Sequence, residues 1–241
     1  MKIFVINPNT SEPMTKHIRE ELERIKRPDT ELMVVCAEKG PETIESAYDE
    51  ALAVPSTLDL VKRANRERYD AIILACFSDP GLEAAKEISE IPVIGIEEST
   101  LHMAAMLGAK FSIMTTQRQR IPSKREHVYQ RGLDHFLASV RSLDLSVAET
   151  DADSARTKRR VLEVAEKAIQ EDHAEVIILG CAGMAGYAPE IESKLKVKVL
   201  DPTAVALKVA EAMADLGLRH SKIGIFSTPP EKSFKYESKW Q

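Results

Sequence analysis

Short apolar runs alternate along the chain with longer segments in which apolar residues recur every three or four positions. The short runs are typical of buried strands, and the periodic segments are typical of amphipathic helices. Regular alternation of the two indicates an α/β fold, a parallel sheet with helices on both faces. In the first part of the chain the pattern predicts strands over 2–6, 31–36, 70–75 and 92–96, and helices over about 11–26, 47–67, 80–89 and 98–107.

The same order of elements begins again near residue 110. The clearest match is between Ile-Ile-Leu-Ala-Cys at 72–76 and Ile-Ile-Leu-Gly-Cys at 177–181, whose cysteines are 105 residues apart. An internal repeat of this length predicts two lobes with the same architecture. The second copy is predicted to contain strands over 110–116, 143–148, 175–180 and 197–200, and helices over about 123–137, 154–171, 188–195 and 203–216.

One more strand is predicted over 222–227, because Lys-Ile-Gly-Ile-Phe-Ser resembles the first strand of each copy. We expect it to cross back, so that lobe one comprises residues 1–100 and 217–241 and lobe two comprises residues 101–216. The predicted fold is therefore α/β with two pseudo-symmetric lobes, each a mostly parallel sheet flanked by helices. Ligands of open α/β sheets bind outside the carboxyl ends of the strands, so the site is expected in the cleft between the lobes.

The composition is that of an ordinary globular protein, with 44% hydrophobic and 29% charged residues. A net charge of −5 gives no electrostatic reason to expect nucleic acid or an anionic membrane as a partner. No apolar run approaches the roughly 20 residues of a membrane span, and the first residues lack the features of a secretory signal. We therefore expect a cytoplasmic protein whose three cysteines are free thiols.

Cys76 ends one of the two matched strands and is followed by Phe-Ser-Asp-Pro-Gly. Asp79 is a favourable N-cap and Pro80 a favourable first residue of a helix, so a helix amino terminus is predicted close to the thiol. The positive end of a helix dipole lowers a thiol pKa and can hold an oxyanion. Taken alone, Cys76 could instead be a small apolar residue of a buried strand.

Cys181 ends the other matched strand and is followed by Ala-Gly-Met-Ala-Gly. Small residues allow a ligand to approach the backbone amides closely. Two thiols at equivalent positions of a repeat favour a joint catalytic role, in which one removes a proton and the other delivers one. Cys36 ends a different strand, has no counterpart in the other copy and is expected to belong to the core.

Polar side chains follow the first strand of each copy and could orient a polar substrate. In the first copy they belong to the segment Asn-Pro-Asn-Thr-Ser at 7–11, where Thr10 or Ser11 could instead cap the next helix. In the second copy they are Thr115 and Thr116.

Glu97 and Asp201 follow the last matched strands and either border the cleft or form caps and ion pairs. None of the six histidines stands at a strand end or pairs with another at ligand spacing, and there is no Cys-x-x-Cys, so no metal site is expected. The chain has no Gly-x-Gly-x-x-Gly and no phosphate loop, so no nucleotide cofactor is expected either.

Three segments together resemble the signature segments of hydantoin and allantoin racemases, within the aspartate/glutamate racemase superfamily. They are residues 7–11, Cys-Phe-Ser-Asp-Pro-Gly at 76–81 and Leu-Gly-Cys-Ala-Gly-Met at 179–184. The resemblance implies a cofactor-independent racemase of a small molecule, with Cys76 and Cys181 as its two catalytic bases; we also expect a homo-oligomer. The substrate-binding segments of the family correspond to Asn9, Ser78, Gly81, Thr115, Thr116 and Gly183.

The expected substrate is a 5-substituted hydantoin or allantoin, in which a ring carbonyl next to the stereogenic carbon stabilises the carbanion as an enolate. Phe77 and Ala182 directly follow the cysteines, where amino-acid racemases of the superfamily usually have hydroxyl, amide or histidine side chains. An aspartate or glutamate racemase remains an alternative, although no lysine or arginine lies in the motifs to bind extra carboxylates. A decarboxylase or cis/trans isomerase of the same fold and a non-enzymatic binding protein are further alternatives, and neither requires the symmetric pair of thiols.

Overall fold

The computed structural model describes residues 1–232. Within them the strands are β1 (Lys2–Asn7), β2 (Glu31–Cys36), β3 (Ala71–Leu74), β4 (Val93–Gly95), β5 (Phe111–Thr115), β6 (Leu137–Ser142), β7 (Val176–Leu179) and β8 (Lys198–Leu200). The α-helices are α1 (Glu12–Ile25), α2 (Ala47–Arg66), α3 (Leu82–Ile88), α4 (Ile96–Leu107), α5 (Ile121–Gln130), α6 (Val147–Ala152), α7 (Ser154–Asp172), α8 (Ala188–Leu195) and α9 (Pro202–Asp215).

The strands form two four-stranded parallel sheets with the same topology. The order is β2-β1-β3-β4 in lobe one and β6-β5-β7-β8 in lobe two. In each sheet the first strand pairs with the cysteine-bearing strand, with Ile6 opposite Leu74 and Met114 opposite Leu179. The predicted fold, an α/β protein of two similar lobes, is confirmed.

The strands that precede the two cysteines are completely buried. Every residue of β3, Ala-Ile-Ile-Leu, and of β7, Val-Ile-Ile-Leu, is buried. Continuous apolar strands of this kind are typical of parallel sheets covered by helices on both faces. The residues that follow such strands therefore lie at the carboxyl edge of the sheet, where the chain first becomes accessible.

The two lobes share one hydrophobic core. Buried side chains of both sheets, among them Ile73 and Ile178, belong to a single cluster. Helix α9 packs on β3 and β4 of the first sheet and against α4, and α4 also contacts β7 of the second sheet. The two equivalent helices thus join the lobes, and they hold the carboxyl edges of the sheets towards one another. The exact division of the chain into lobes, with α9 in lobe two, remains a prediction.

The strand predicted over 143–148 was wrong. The strand β6 lies earlier, and the chain then turns into α6, whose N-cap is Ser146. The Ser146 side chain accepts a hydrogen bond from the backbone of Glu149, and the Glu149 carboxylate accepts one from the backbone of Ser146. This capping box, which is visible in the sequence as Ser-x-x-Glu, starts a helix where the apolar pattern suggested a strand.

The strand predicted over 222–227 was also wrong. These residues form bends and turns, and Ile223 and Ile225 are 92% and 74% exposed. The segment is held to lobe one through side chains, since Lys222 Nζ donates to the carbonyl oxygens of Lys86 and Glu87 at 2.7 and 2.8 Å. Residues 233–241 of the predicted first lobe lie outside the described residues. Within residues 1–232, no helix has both the length and the apolar character that crossing a membrane requires.

Candidate active site

A cavity lies between the lobes, where the central strands of both sheets end. Six of the eight residues that we predicted for the site border it. The other two, Gly81 and Gly183, lie next to bordering segments but do not themselves line the cavity. The six are Asn9, Cys76, Ser78, Thr115, Thr116 and Cys181.

Cys76 directly follows β3 and Ala75, and its thiol is held in a tight turn. Its carbonyl oxygen accepts hydrogen bonds from the backbone N–H groups of Ser78 and Asp79 at 2.8 and 2.9 Å. The Sγ atom lies 3.4 Å from Ser78 Oγ. Burial raises the pKa of the thiol to about 12, although the Ser78 hydroxyl and the charge of Lys124 lower it. The predicted lowering of the Cys76 pKa by a helix amino terminus is therefore wrong. Helix α3 begins only at Leu82, after this turn.

Cys181 follows β7 and is buried at the other side of the cavity. Its Sγ atom accepts a hydrogen bond from the backbone N–H of Gly183 at 3.4 Å. The residue before it must be small, since a Cβ atom on Gly180 would lie 2.7 Å from the carbonyl oxygen of Met114. The negative charge of a Cys181 thiolate would raise the pKa of Cys76. The two thiols are therefore close enough to influence each other, and one ionised partner disfavours a second.

Asn9 presents an amide to the cavity from the loop after β1. Its Oδ1 accepts hydrogen bonds from Asn7 Nδ2 at 2.7 Å and from the Ser11 backbone at 3.0 Å. Its Nδ2 donates to Met14 Sδ at 3.4 Å. Ser11 caps α1 by accepting from the backbone of Met14 at 3.3 Å, which was one of its two predicted roles. The amide of Asn9 is thus oriented by its neighbours before any substrate binds.

Thr115 and Thr116 occupy the equivalent place after β5, and both are buried at the cavity wall. Their carbonyl oxygens accept hydrogen bonds from Leu143 and Leu145, at 2.8 and 3.1 Å, so the backbone is fully engaged with the next loop. Gly81 does not line the cavity, and its part in binding the substrate remains a prediction. It is the N-cap of α3 in the left-handed conformation, with a φ of 76°, which glycine adopts without steric cost.

Asp79 caps a different helix from the one predicted. Its two carboxylate oxygens accept hydrogen bonds from the backbone N–H groups of Glu97 and Glu98, at 3.0 and 2.7 Å, at the start of α4. The residue is in the left-handed region, with a φ of 46°, which directs its side chain away from α3. Burial and the neighbouring charge of Glu97 raise the pKa of Asp79 to about 7.

Glu97 is completely buried beneath the cavity and is the centre of an ion-pair cluster. Its Oε1 lies 3.0 Å from Lys124 Nζ, and its Oε2 lies 2.8 Å from His127 Nδ1. Burial alone would raise its pKa, but Lys124 and His127 outweigh burial and hold the pKa below the ordinary value. The matching residue Asp201 caps α9 by accepting from the Thr203 backbone at 2.9 Å. Glu97 thus forms ion pairs and Asp201 forms a helix cap, which is the second of the two predicted alternatives.

The family model described as Asp/Glu/Hydantoin racemase matches residues 3–210 of the chain. The chain belongs to this family. It is similar to the hydantoin racemases of Pseudomonas sp. (strain NS671) and Paenarthrobacter aurescens, each 37% identical over 97% of this chain and over 94% and 100% of theirs. The structure of the allantoin racemase from Klebsiella pneumoniae has a TM-score of 0.95 and 36% identity, covering 98% of this chain and 97% of that one.

These relatives confirm the predicted resemblance and the predicted enzyme class, an isomerase. They cover the chain almost from end to end, so the likeness is not limited to the motifs around the two cysteines. Within residues 1–232 no three His, Cys, Asp or Glu side chains are grouped as a metal site requires. The absence of a metal and of a cofactor from the reaction remains a prediction.

Two basic side chains of this racemase border the cavity, and the motifs did not reveal them. Arg120 and Lys124 belong to the segment that leads into α5 and to α5 itself. Each is already paired with a carboxylate, Arg120 with Glu50 and Lys124 with Glu97. No motif marked these two residues, because neither lies at a strand end. Both reach the cavity from lobe two, Arg120 from the turn before α5 and Lys124 from α5 itself.

Contacts across the cleft bring the loop before α2 against lobe two. Glu45 Oε1 accepts a hydrogen bond from the backbone N–H of Val147 at 2.6 Å, and Arg120 binds Glu50. Ile44 and Val147 form part of the apolar lining. The racemase cavity is thus bordered on this side by residues of both lobes.

Proposed function

We propose that the chain is a cofactor-independent racemase that interconverts the enantiomers of 5-substituted hydantoins or of allantoin. Cys76 and Cys181 are its two proton carriers. The observation that carries the proposal is the position of the two thiols, which follow equivalent strands of two similar sheets and border one cavity. Hydantoin and allantoin racemases as relatives over nearly the whole chain support the choice of a ring substrate.

In the proposed reaction one cysteine, as a thiolate, removes the proton from the stereogenic carbon of the ring. The electron pair of the broken C–H bond moves into the adjacent carbonyl group and forms an enolate. The other cysteine, as a thiol, then donates its proton to the opposite face of the same carbon. The first sulfur ends as a thiol and the second as a thiolate, so atoms and charge balance, and the enzyme is ready for the reverse reaction. General acid–base steps of this kind typically contribute about 10² to 10⁴-fold each.

The polar groups around the thiols are proposed to hold the ring. Asn9, Ser78, Thr115 and Thr116 supply amide and hydroxyl groups that match the alternating N–H and C=O groups of a hydantoin. Buried, oriented donors of this kind stabilise the charge of an enolate more strongly than water does. Gly81 and Gly183 are proposed to act indirectly, by shaping the turns that carry Ser78 and Cys181.

The second candidate, an aspartate or glutamate racemase, draws support from one observation, the two basic side chains at the cavity. A free cation at the cavity would favour the binding of a substrate carboxylate. Arg120 is engaged with Glu50, and Lys124 is engaged with Glu97. A neutral ring makes no such demand, and we therefore favour the hydantoin or allantoin substrate. We also propose that the enzyme is a cytoplasmic homo-oligomer.

Single enantiomers of a 5-alkylhydantoin, allantoin, aspartate and glutamate, incubated in D₂O, test the proposal. We expect optical rotation to be lost and deuterium to enter the stereogenic carbon for the hydantoin or allantoin only. Loss of rotation with aspartate or glutamate alone would contradict the ring substrate. Release of carbon dioxide, or no deuterium uptake from any substrate, would contradict a racemase.

Alkylation of the two site thiols by iodoacetamide should inactivate the enzyme, and excess substrate should slow it. Because burial raises the pKa of Cys76 to about 12, its reactive thiolate is scarce near neutral pH. The alkylation rate of Cys76 should therefore rise about tenfold for each pH unit between about pH 7 and 9. Peptide mass mapping follows each cysteine separately. A rate of Cys76 that does not change with pH, or a lack of protection at both thiols, would contradict the site.

A further inference from the structure

Lys124 is a buried basic side chain that connects the two lobes beside Cys76. It lies on α5, is 3% exposed and borders the cavity. Its ammonium donates to the carbonyl oxygen of Phe77, the residue after Cys76, and lies 3.0 Å from Glu97 Oε1. The Nζ atom is also 5.1 Å from the centroid of the Phe77 ring. These contacts hold the ammonium against the residue that follows Cys76.

The ammonium makes two hydrogen bonds, and the side chain that carries it borders the cavity. A lysine carries three N–H bonds, and in the part of the chain that the structure describes its acceptors are Phe77 O and Glu97 Oε1. The side chain borders the same cavity as Cys76, and its charge acts on the thiol of that residue. A thiolate that formed at Cys76 would therefore face a cation that is already in place.

The other charges around the thiol work against its ionisation. Glu50, on α2, and a Cys181 thiolate both disfavour a negative charge on Cys76. Arg120 is the other basic side chain at the cavity, but it binds the Glu50 carboxylate. The charge of Lys124, by contrast, favours the thiolate.

Lys124 is part of a buried cluster of charged groups. Its partner Glu97, on α4, is ionised and also binds His127 of α5. Asp79 lies nearby with Arg131, the C-cap of α5, its carboxylate 3.7 Å from the guanidinium.

We propose that Lys124 is the positioning residue of Cys76: its fixed ammonium stabilises the thiolate form of Cys76 and thereby prepares this sulfur to remove the substrate proton. The catalytic consequence rests on the proposed racemisation, but the effect on the thiol does not. The inference can therefore be tested on the free enzyme, without any substrate.

The test is the rate of iodoacetamide alkylation of each cysteine at one pH, measured by peptide mass mapping in Lys124→Met and Lys124→Arg. In Lys124→Met we expect Cys76 to react about tenfold more slowly than in the parent, because loss of a nearby opposite charge raises a thiol pKa by about one unit. Lys124→Arg keeps the charge and should restore most of the rate. Cys181 provides the internal control, since a general disturbance of the cleft would alter both thiols.

Lys86→Met is the matched control variant. Lys86 is also a buried lysine paired with a glutamate of α4, with its Nζ 2.7 and 2.6 Å from the oxygens of Glu98, but it does not border the cavity. It should leave the alkylation of Cys76 unchanged. Should Lys124→Met not fold, Glu97→Gln/Lys124→Met removes the ion pair as a unit and should show the same selective loss at Cys76.

Three results would overturn the inference: an unchanged rate at Cys76, an equal fall at Cys76 and Cys181, or an equal fall in Lys124→Met and Lys124→Arg. Racemisation measured on the same variants separates this inference from the proposed function. If Lys124→Met slows alkylation of Cys76 but the parent does not racemise any hydantoin or allantoin, the role of Lys124 stands and the proposed reaction does not. If the parent racemises a hydantoin or allantoin but Lys124→Met does not slow the alkylation of Cys76, the proposed reaction stands and the role of Lys124 does not.

Discussion

Cys76→Ala and Cys181→Ala are each expected to lower the rate of racemisation at least about 100-fold. Each variant removes one of two proton carriers, and inversion needs both, one to take the proton and one to return it to the other face. The loss should appear in both directions, from either enantiomer. Optical rotation of a single enantiomer of a 5-alkylhydantoin measures it directly.

The control is Cys36→Ala, which should keep most of the activity. Cys36 ends β2, its Sγ lies 3.4 Å from Glu12 Oε1, and it does not border the cavity. Circular dichroism of the three variants should show the same fold as the parent. Either site variant that still racemised at more than about a tenth of the parent rate would fall outside a lost acid–base contribution and exclude two obligatory thiols.

Glu97→Gln is expected to lower the free energy of unfolding by about 3–5 kcal/mol. The carboxylate is fully buried, and removing it leaves the ammonium of Lys124 without its charged partner in the core. Glu98→Gln is the matched control on the same helix turn. Glu98 pairs with Lys86, but its own side chain is 31% exposed, so water can solvate the ammonium that Glu98→Gln leaves and the loss should be clearly smaller than in Glu97→Gln. Urea unfolding at neutral pH compares the two.

The difference in the free energy of unfolding between the parent and Glu97→Gln should become smaller as the pH falls. The folded protein holds the pKa of Glu97 below its ordinary value of 4.5. The stability contributed by the ionised carboxylate is therefore complete above that value and is lost as the pH falls through the lower pKa of the folded state. A difference that grew on acidification, or one no larger than that of Glu98→Gln, would mean that the buried cluster does not stabilise the fold.

The repeat made most of the fold predictable from the sequence. Two copies of one apolar pattern require two similar sheets, and each cysteine immediately follows a run of buried residues. Because the side chain after such a strand lies at the carboxyl edge of the sheet, Cys76, Cys181, Asn9 and Thr115 could be placed at the cavity without knowing the structure. These positions follow from the succession of strands and helices along the chain.

Contacts between distant elements were not predictable in this way. Lys124 and Arg120 lie on a helix and turn of one lobe but meet carboxylates of the other, and a single sequence carries no signal of that pairing. The same applies to Asp79, whose left-handed backbone directs its side chain to the start of α4, the helix that follows the neighbouring strand β4. The strand predicted over 222–227 does not form for a related reason. An apolar segment becomes a strand only where the edge of a sheet offers backbone groups to pair with it.

The central claim is that the two thiols act on opposite faces of one substrate, and hydrogen exchange without inversion tests it most directly. In Cys76→Ser and Cys181→Ser one thiol remains, which can remove a proton only from the enantiomer whose C–H bond points towards it. NMR in D₂O, with L- and D-5-alkylhydantoins supplied separately, should show deuterium uptake with opposite enantiomer preferences in the two variants. The same preference in both variants would contradict the account, because the cysteines would then lie on one face.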